Sequence, residues 1–184
     1  MDLKDLSASH GMCAGFPPLH KGLMMIKEVT GDILLSKAGA IAHGVAPHDD
    51  FKQGLALALR EQWPAMYKDF RHYCQTYNPK PGSLWSWKGP GSPVIVNLFT
   101  QEEPDGHQSK PGKATIPNIN HVLHALKKEL QDQKVTSLAL PRLATGVGGL
   151  SWAEVQPLIQ ATLKDAGIPV YVYTTYKKGV AAGE

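Results

Sequence analysis

Leu138-Ala139-Leu140-Pro141-Arg142-Leu143-Ala144-Thr145-Gly146-Val147-Gly148-Gly149-Leu150-Ser151-Trp152-Ala153-Glu154 carries the densest chemical potential in this chain. A short apolar run fit for a buried strand leads into a glycine-rich turn and then a helix. Ser151 and Glu154 have the spacing of a capping box, which marks the helix start. Gly146, Gly148 and Gly149 permit positive φ and close backbone approach. Several N–H groups can then converge on one concavity beside the positive end of a helix dipole, an arrangement suited to phosphate. A second stretch has the same character. Gln53-Gly54-Leu55-Ala56 opens another helix, whose first amides have no intrahelical acceptor. Two helix starts facing each other across the end of a sheet would clamp a diphosphate. Neither stretch ends in Gly-Lys-Ser/Thr, and neither fits Gly-x-Gly-x-x-Gly after a first strand. The P-loop and dinucleotide-fold classes are therefore disfavoured.

Groups capable of acid–base work lie nearby in sequence. His43 ends an apolar run, and Asp50 sits in the polar loop that follows. A histidine titrates near working pH and suits the activation of a water; it fits equally well as a satisfied histidine at a strand end. His48, Asp49 and Asp50 are adjacent, but neighbouring residues seldom converge on one ion, and no metal is expected. No cofactor is expected either.

The elements that must position these groups follow from periodicity. Met24–Val29, Ala40–Val45, Leu84–Trp87, Val94–Phe99, Leu138–Leu140 and Val170–Thr174 read as strands. Leu55, Leu59, Trp63, Met66 and Phe70 recur at helical spacing, with Pro64 expected to kink the segment or start a second short helix. Ile116 to Leu130 and Val155 to Leu163 are further helices. The alternation predicts an α/β layered domain with a largely parallel or mixed sheet, and ligands in such sheets sit at the carboxyl ends of strands. The loops there are 46–54, 100–113 and 144–150.

The chain has 184 residues, a net charge of +3 and a pI near 8.8. That is enough length for one domain with a real core and too little charge to argue for nucleic acid on its own. No apolar run is long enough to span a bilayer. Cys13 and Cys74 make neither a disulfide framework nor a zinc site, and a cytoplasmic location is expected. Residues 1–23 mix Ser, His, Gly and Pro without periodicity and are expected to be a flexible extension. The domain proper is expected over 24–176, with a frayed tail at 177–184.

Several of these pieces together resemble a macrodomain, the ADP-ribose-binding module. They are Thr30-Gly31-Asp32-Ile33, Ile41-Ala42-His43, Gly54-Leu55-Ala56, and Pro141 to Leu150 with Trp152. The resemblance runs from about Met25 to Tyr176 and is strongest to the terminal ADP-ribose protein glycohydrolases and their bacterial relatives. It implies a three-layer α/β/α fold with a mixed central sheet. It implies that Asp32 accepts from the adenine amino group while the Ile33 amide donates to the ring. Gln53, Gly54 and Leu55 would face one phosphate. Thr145, Gly146, Val147, Gly148, Gly149 and Leu150 would wrap the other phosphate and the distal ribose. Phe99, Thr100 and Gln101 would lie near that ribose, and Tyr173 or Tyr176 would stack on adenine.

Two departures bear on catalysis. In the glycohydrolase relatives a lysine following the Phe-Thr-like strand end attacks the anomeric carbon; this chain has Gln101 there. Where the human-type enzyme has an assisting aspartate in the glycine loop, this chain has Gly148. Lys110 and Lys113 could reach the site from the long loop. The resemblance thus implies reversal of ADP-ribosylation by water attack, with His43 or Asp50 as catalytic residues, or ADP-ribose binding without turnover. The partner would be ADP-ribose or an ADP-ribosylated macromolecule, with nucleic acid only as that modified substrate and no membrane.

Overall fold

The computed structural model describes residues 25–104 and 111–184. The expected extension over 1–23 and the loop lysine Lys110 lie outside the described residues. Among the described residues six strands form one sheet: β1 Ile26–Gly31, β2 Ala40–Val45, β3 Leu84–Trp87, β4 Val94–Phe99, β5 Leu138–Pro141 and β6 Val170–Tyr176. Their order is β1-β6-β5-β2-β4-β3. All neighbours are parallel except β3, which runs antiparallel to β4 along the edge. The central strands β2 and β4 are buried on both faces, as their unbroken apolar runs require.

Four α-helices among the described residues flank this sheet: α1 Gly54–Gln62, α2 Pro64–Tyr77, α3 Ile116–Asp132 and α4 Trp152–Leu163. On one face α3 and α4 bury Ile119, Leu123, Leu126, Val155, Ile159 and Leu163 against Ala40, Val96, Leu98 and Leu138. On the other, α1 and α2 bury Leu59, Met66 and Phe70 against Ile41, Val45, Ile95 and Phe99, joined by Phe51 from the loop after β2. The result is the three-layer α/β/α arrangement with a mixed sheet. No helix among the described residues is long and apolar enough to cross a membrane.

Two local expectations change. The segment after Pro64 is a helix of 14 residues rather than a short one. Pro64 occupies its first turn, where the missing N–H is no loss, and Asn78 ends it in the left-handed conformation at φ 44°. The tail from Lys177, expected to fray, instead folds back along β1. Val180 carbonyl oxygen accepts from the Asp32 amide at 2.7 Å, and Glu184 accepts from Tyr173 Oη at 2.7 Å. Polarity alone misled here, because polar groups that find partners can be ordered.

An aromatic cluster of Phe51, Tyr67, Phe70, Tyr73, Trp85 and Phe99 packs on the α2 face. Phe70 lies wholly buried, with ring centroids 4.7 Å from Phe51 and 6.0 Å from Phe99. Truncation to Phe70→Ala is expected to lower the unfolding free energy by about 3–5 kcal/mol, measured by urea denaturation.

Candidate ligand site at the carboxyl end of the sheet

The parallel strands all end on one side, and the loops leaving β1, β2, β4 and β5 converge there. A cavity of about 400 Å³ is lined by His43 and Gly44 from β2 and by Asp49, Asp50, Lys52 and Gln53 from the next loop. Gly54, Leu55 and Ala56 of α1, Gln101, Pro111, and Pro141 to Gly148 of the glycine-rich segment, less Leu143 and Thr145, complete the wall. A second cavity of about 390 Å³ is lined by Gly31, Asp32, Ile33, Leu34, Ala58, Tyr173 and Tyr176. Gly54, Leu55 and Pro141 line both, so the two hollows adjoin.

The loop between β2 and α1 is built around one carboxylate. Asp49 Oδ1 accepts from the Phe51 amide at 2.8 Å and Oδ2 from the Ala46 amide at 3.4 Å. Burial raises the Asp49 pKa, against the lowering effect of those two amides. His48 and Phe51 on either side take φ of 59° and 51°, left-handed values uncommon for residues with a Cβ. The buried Phe51 ring anchors that strained loop. Gly54 follows at φ +59°, where glycine is favoured, and α1 begins. The first intrahelical bond to the loop is Leu57 amide to Gln53 oxygen at 3.3 Å. The amides of Gly54, Leu55 and Ala56 have no helical acceptor, and all three residues line the cavity.

The glycine-rich loop closes on itself. Gly149 amide donates to Gly146 oxygen at 3.1 Å and Leu150 amide to Ala144 oxygen at 3.0 Å. The amides of Gly146, Val147 and Gly148 make no hydrogen bond within the described residues, and all three residues line the cavity. Gly148 is required by contact: a Cβ there would lie 2.7 Å from Ala144 oxygen and 3.0 Å from Ala114 Cβ. A capping box closes the entrance to α4, whose first residues line neither cavity. Glu154 accepts from the Ser151 amide at 3.1 Å and from Ser151 Oγ at 2.8 Å, which places a carboxylate at the helix entrance. The anion-binding groups are therefore one helix start and one loop nest, not two helix starts.

His43 is buried, and its Nε2 lies 2.7 Å from Asn97 Oδ1. Asn97 Nδ2 donates to Trp85 oxygen at 3.3 Å, so Asn97 Oδ1 is the acceptor and His43 carries its proton on Nε2. Nδ1 is then a bare lone pair, buried and without a partner among the described residues. Burial lowers the His43 pKa to about 4, opposed by the bond to Asn97. Asp50 is partly exposed and pairs with Lys52 at 2.8 Å on the cavity wall. No cluster of metal-ligating side chains occurs among the described residues.

No protein-family model matches the chain. Human ADP-ribose glycohydrolase OARD1 is 32% identical over 150 residues, spanning 81% of this chain and 91% of that protein. A solved structure, the macrodomain of Thermus aquaticus DarG, superposes with a TM-score of 0.72 at 27% identity, covering 82% of this chain and 98% of that one. This chain is a macrodomain. The DNA ADP-ribosyl glycohydrolase of Thermus aquaticus is 28% identical over 152 residues, but the chain spans only 41% of that protein's length. Thermosipho africanus DarTG in complex with ADP-ribose shares the fold, with a TM-score of 0.73 at 23% identity over 85% of this chain and 42% of that one.

Most of the residues singled out from the sequence line the macrodomain's two cavities: Asp32, Ile33, His43, Asp50, Gln53, Gly54, Leu55, Gln101, Gly146, Val147, Gly148, Tyr173 and Tyr176. Five do not. Phe99 is wholly buried beneath the site, 6.0 Å from Phe70 and 6.5 Å from Tyr73. Thr100 is buried with it. Thr145 turns its hydroxyl back to Arg142 oxygen at 2.8 Å. Gly149 and Leu150 belong to the loop's return, and Leu150 packs on the α3–α4 core. Lys113 is exposed and lines neither cavity. Gln101 is pinned, its Nε2 donating to Gly112 oxygen at 3.0 Å.

Asp49, Lys52, Pro141, Arg142 and Ala144 also line the cavity, although the sequence assigned none of them a ligand role of its own. Arg142 extends over the Trp152 ring at 5.6 Å, at the rim. Its place directly before the glycine segment was a usable signal.

The low His43 pKa has a consequence for stability. The folded protein holds His43 neutral down to about pH 4, whereas the unfolded chain protonates near pH 6.5. The unfolded state binds more protons between those values, so stability present above pH 6.5 falls as pH drops through the window. The expected loss is about 3 kcal/mol by pH 4. His43→Gln should flatten that part of the profile of unfolding free energy against pH.

Proposed function

We propose that this macrodomain binds ADP-ribose along the joined cavities and hydrolyses an ADP-ribosyl linkage by attack of water at the anomeric carbon. The observation that carries this reading is the adjacency of the two hollows through Gly54, Leu55 and Pro141. An acceptor-only carboxylate stands in one hollow, and unpaired main-chain amides line the other. A nucleotide with its base on Asp32 would cross the Gly54–Leu55 amides with one phosphate. It would meet the Gly146–Gly148 amides with the other, and bring the distal ribose toward His43 and Gln101. The Ile33 amide, first in its 3-10 turn, is the donor for the ring.

Human OARD1 is named an ADP-ribose glycohydrolase, and the bacterial relatives are named for DNA-linked ADP-ribose. ADP-ribosylated DNA is accordingly the first macromolecular substrate in our reading. Arg142 and Lys52 at the rim supply cations for a polyanion. In this chain Gln101 has no nucleophilic nitrogen, so no covalent lysine adduct forms at that position. Asp50 on the cavity wall is the carboxylate able to take the proton from the water, and the neutral His43 lines the same cavity. The water adds to the anomeric carbon as the bond to the macromolecule breaks, and the leaving group receives a proton.

A second reading, capture of ADP-ribose without turnover, is favoured by Gln101 alone. The two separate on a panel of ADP-ribosylated DNA and protein, read out as released ADP-ribose beside a calorimetric titration. Asp32→Ala is expected to weaken ADP-ribose binding at least about tenfold; equal affinity would refute the base placement. His43→Ala combined with Asp50→Ala should lower release at least about 100-fold while ADP-ribose still binds. Release undiminished in that double variant would exclude both residues from the chemistry.

A further inference from the structure

Residues 177–184 form a strap across the end of β1 and take hold of the one carboxylate in the base-side cavity. Lys177 amide donates to Gly31 oxygen at 3.0 Å, and the Asp32 amide donates to Val180 oxygen at 2.7 Å. Between these, Gly179 at φ +69° turns its own amide onto Asp32 Oδ2 at 2.9 Å. The other oxygen, Oδ1, accepts from the Leu34 amide at 3.1 Å. The crossing is close: a Cβ on Gly31 would stand 2.8 Å from Val180 oxygen and 2.9 Å from Ala182 nitrogen.

The far end of the strap is fastened. Glu184 Oε1 accepts from Tyr173 Oη at 2.7 Å and from Ser36 Oγ at 2.5 Å, and Oε2 accepts from the Lys37 amide at 3.0 Å. Lys27 Nζ donates to Gly183 oxygen at 2.6 Å. Tyr173 itself lines the base-side cavity, so the same fastening fixes part of its wall.

We propose that this strap is a positioning element that sets base selectivity by holding Asp32 in one orientation. This rests on the reading that Asp32 receives the base. A carboxylate has acceptor capacity on both oxygens beyond one bond each. With one lone pair on each oxygen taken by a main-chain amide, the carboxylate cannot rotate. Its remaining capacity is directed at a donor, such as an exocyclic amino group. A base presenting a carbonyl at that position meets acceptor against acceptor and is rejected.

The test compares ADP-ribose with its inosine analogue, in which that amino group is replaced by a carbonyl. Calorimetry is run on the parent chain, Gly179→Pro, Glu184→Ala and Asp32→Ala. Gly179→Pro removes the donor and forbids the positive φ; Glu184→Ala releases the fastening but leaves Asp32 and Gly179 intact. Both strap variants are expected to narrow the preference for ADP-ribose about tenfold, with the analogue's affinity nearly unchanged. General loss of folded protein would weaken both ligands equally and leave the ratio intact. An unaltered ratio in both strap variants, or tighter ADP-ribose binding, overturns the proposal provided Asp32→Ala abolishes the preference. A preference retained in Asp32→Ala instead overturns the underlying base placement.

Discussion

Main-chain N–H groups left without carbonyl partners are the constraint on which the site depends. A buried or half-buried amide must be paired, and secondary structure ordinarily does this. Here the fold withholds acceptors in two places on one edge of the sheet. The first turn of α1 cannot supply its own, and the Gly146–Gly148 segment is turned so that its loop bonds form on either side of it. Both arrangements need backbone that side chains would obstruct or strain. Gly54 supplies a left-handed φ, and Gly148 lies where a methyl group would strike Ala144 oxygen. These open donors are what the proposed diphosphate would complete.

Around those donors the side chains limit which chemistry is possible. His43 is neutral because burial outweighs the bond from Asn97, and that same bond dictates which ring nitrogen holds the proton. It therefore acts as an oriented acceptor rather than a cation. Gln101 is held by Gly112 and contributes an amide instead of an amine. Neither feature supplies an amine nucleophile, which is why the proposed reaction runs through water.

The layered fold was legible because its signals were local. Unbroken apolar runs marked β2 and β4, and helical spacing marked α3. The glycine segments likewise declared their amides. Side-chain direction at strand ends was not legible: Phe99 and Thr100 sit at the right height but point into the core, which only packing against Phe70 and Tyr73 decides. Thr145, Gly149 and Leu150 were lost to the loop's own return bonds. Asp49 and Phe51, which organise the β2–α1 loop, gave no pattern, since one carboxylate among three polar neighbours looks like solvent-facing loop. The ordered tail was hidden for a similar reason, its partners Asp32, Tyr173 and Ser36 being far away in sequence.

The margins of the sheet deal with a different hazard. An open strand edge invites pairing with other chains. On one side β3 is only four residues long, and the turn at Gly82 is drawn in by its amide bond to Phe99 oxygen at 2.8 Å. On the other side β1 exposes Lys27, Glu28 and Thr30, and the returning residues Lys177 and Val180 bond to Gly31 and Asp32 at its end. Each border thus presents little continuous ladder to a stranger, and the described part of the molecule gains resistance to edge-to-edge aggregation from a short strand on one side and a returning tail on the other.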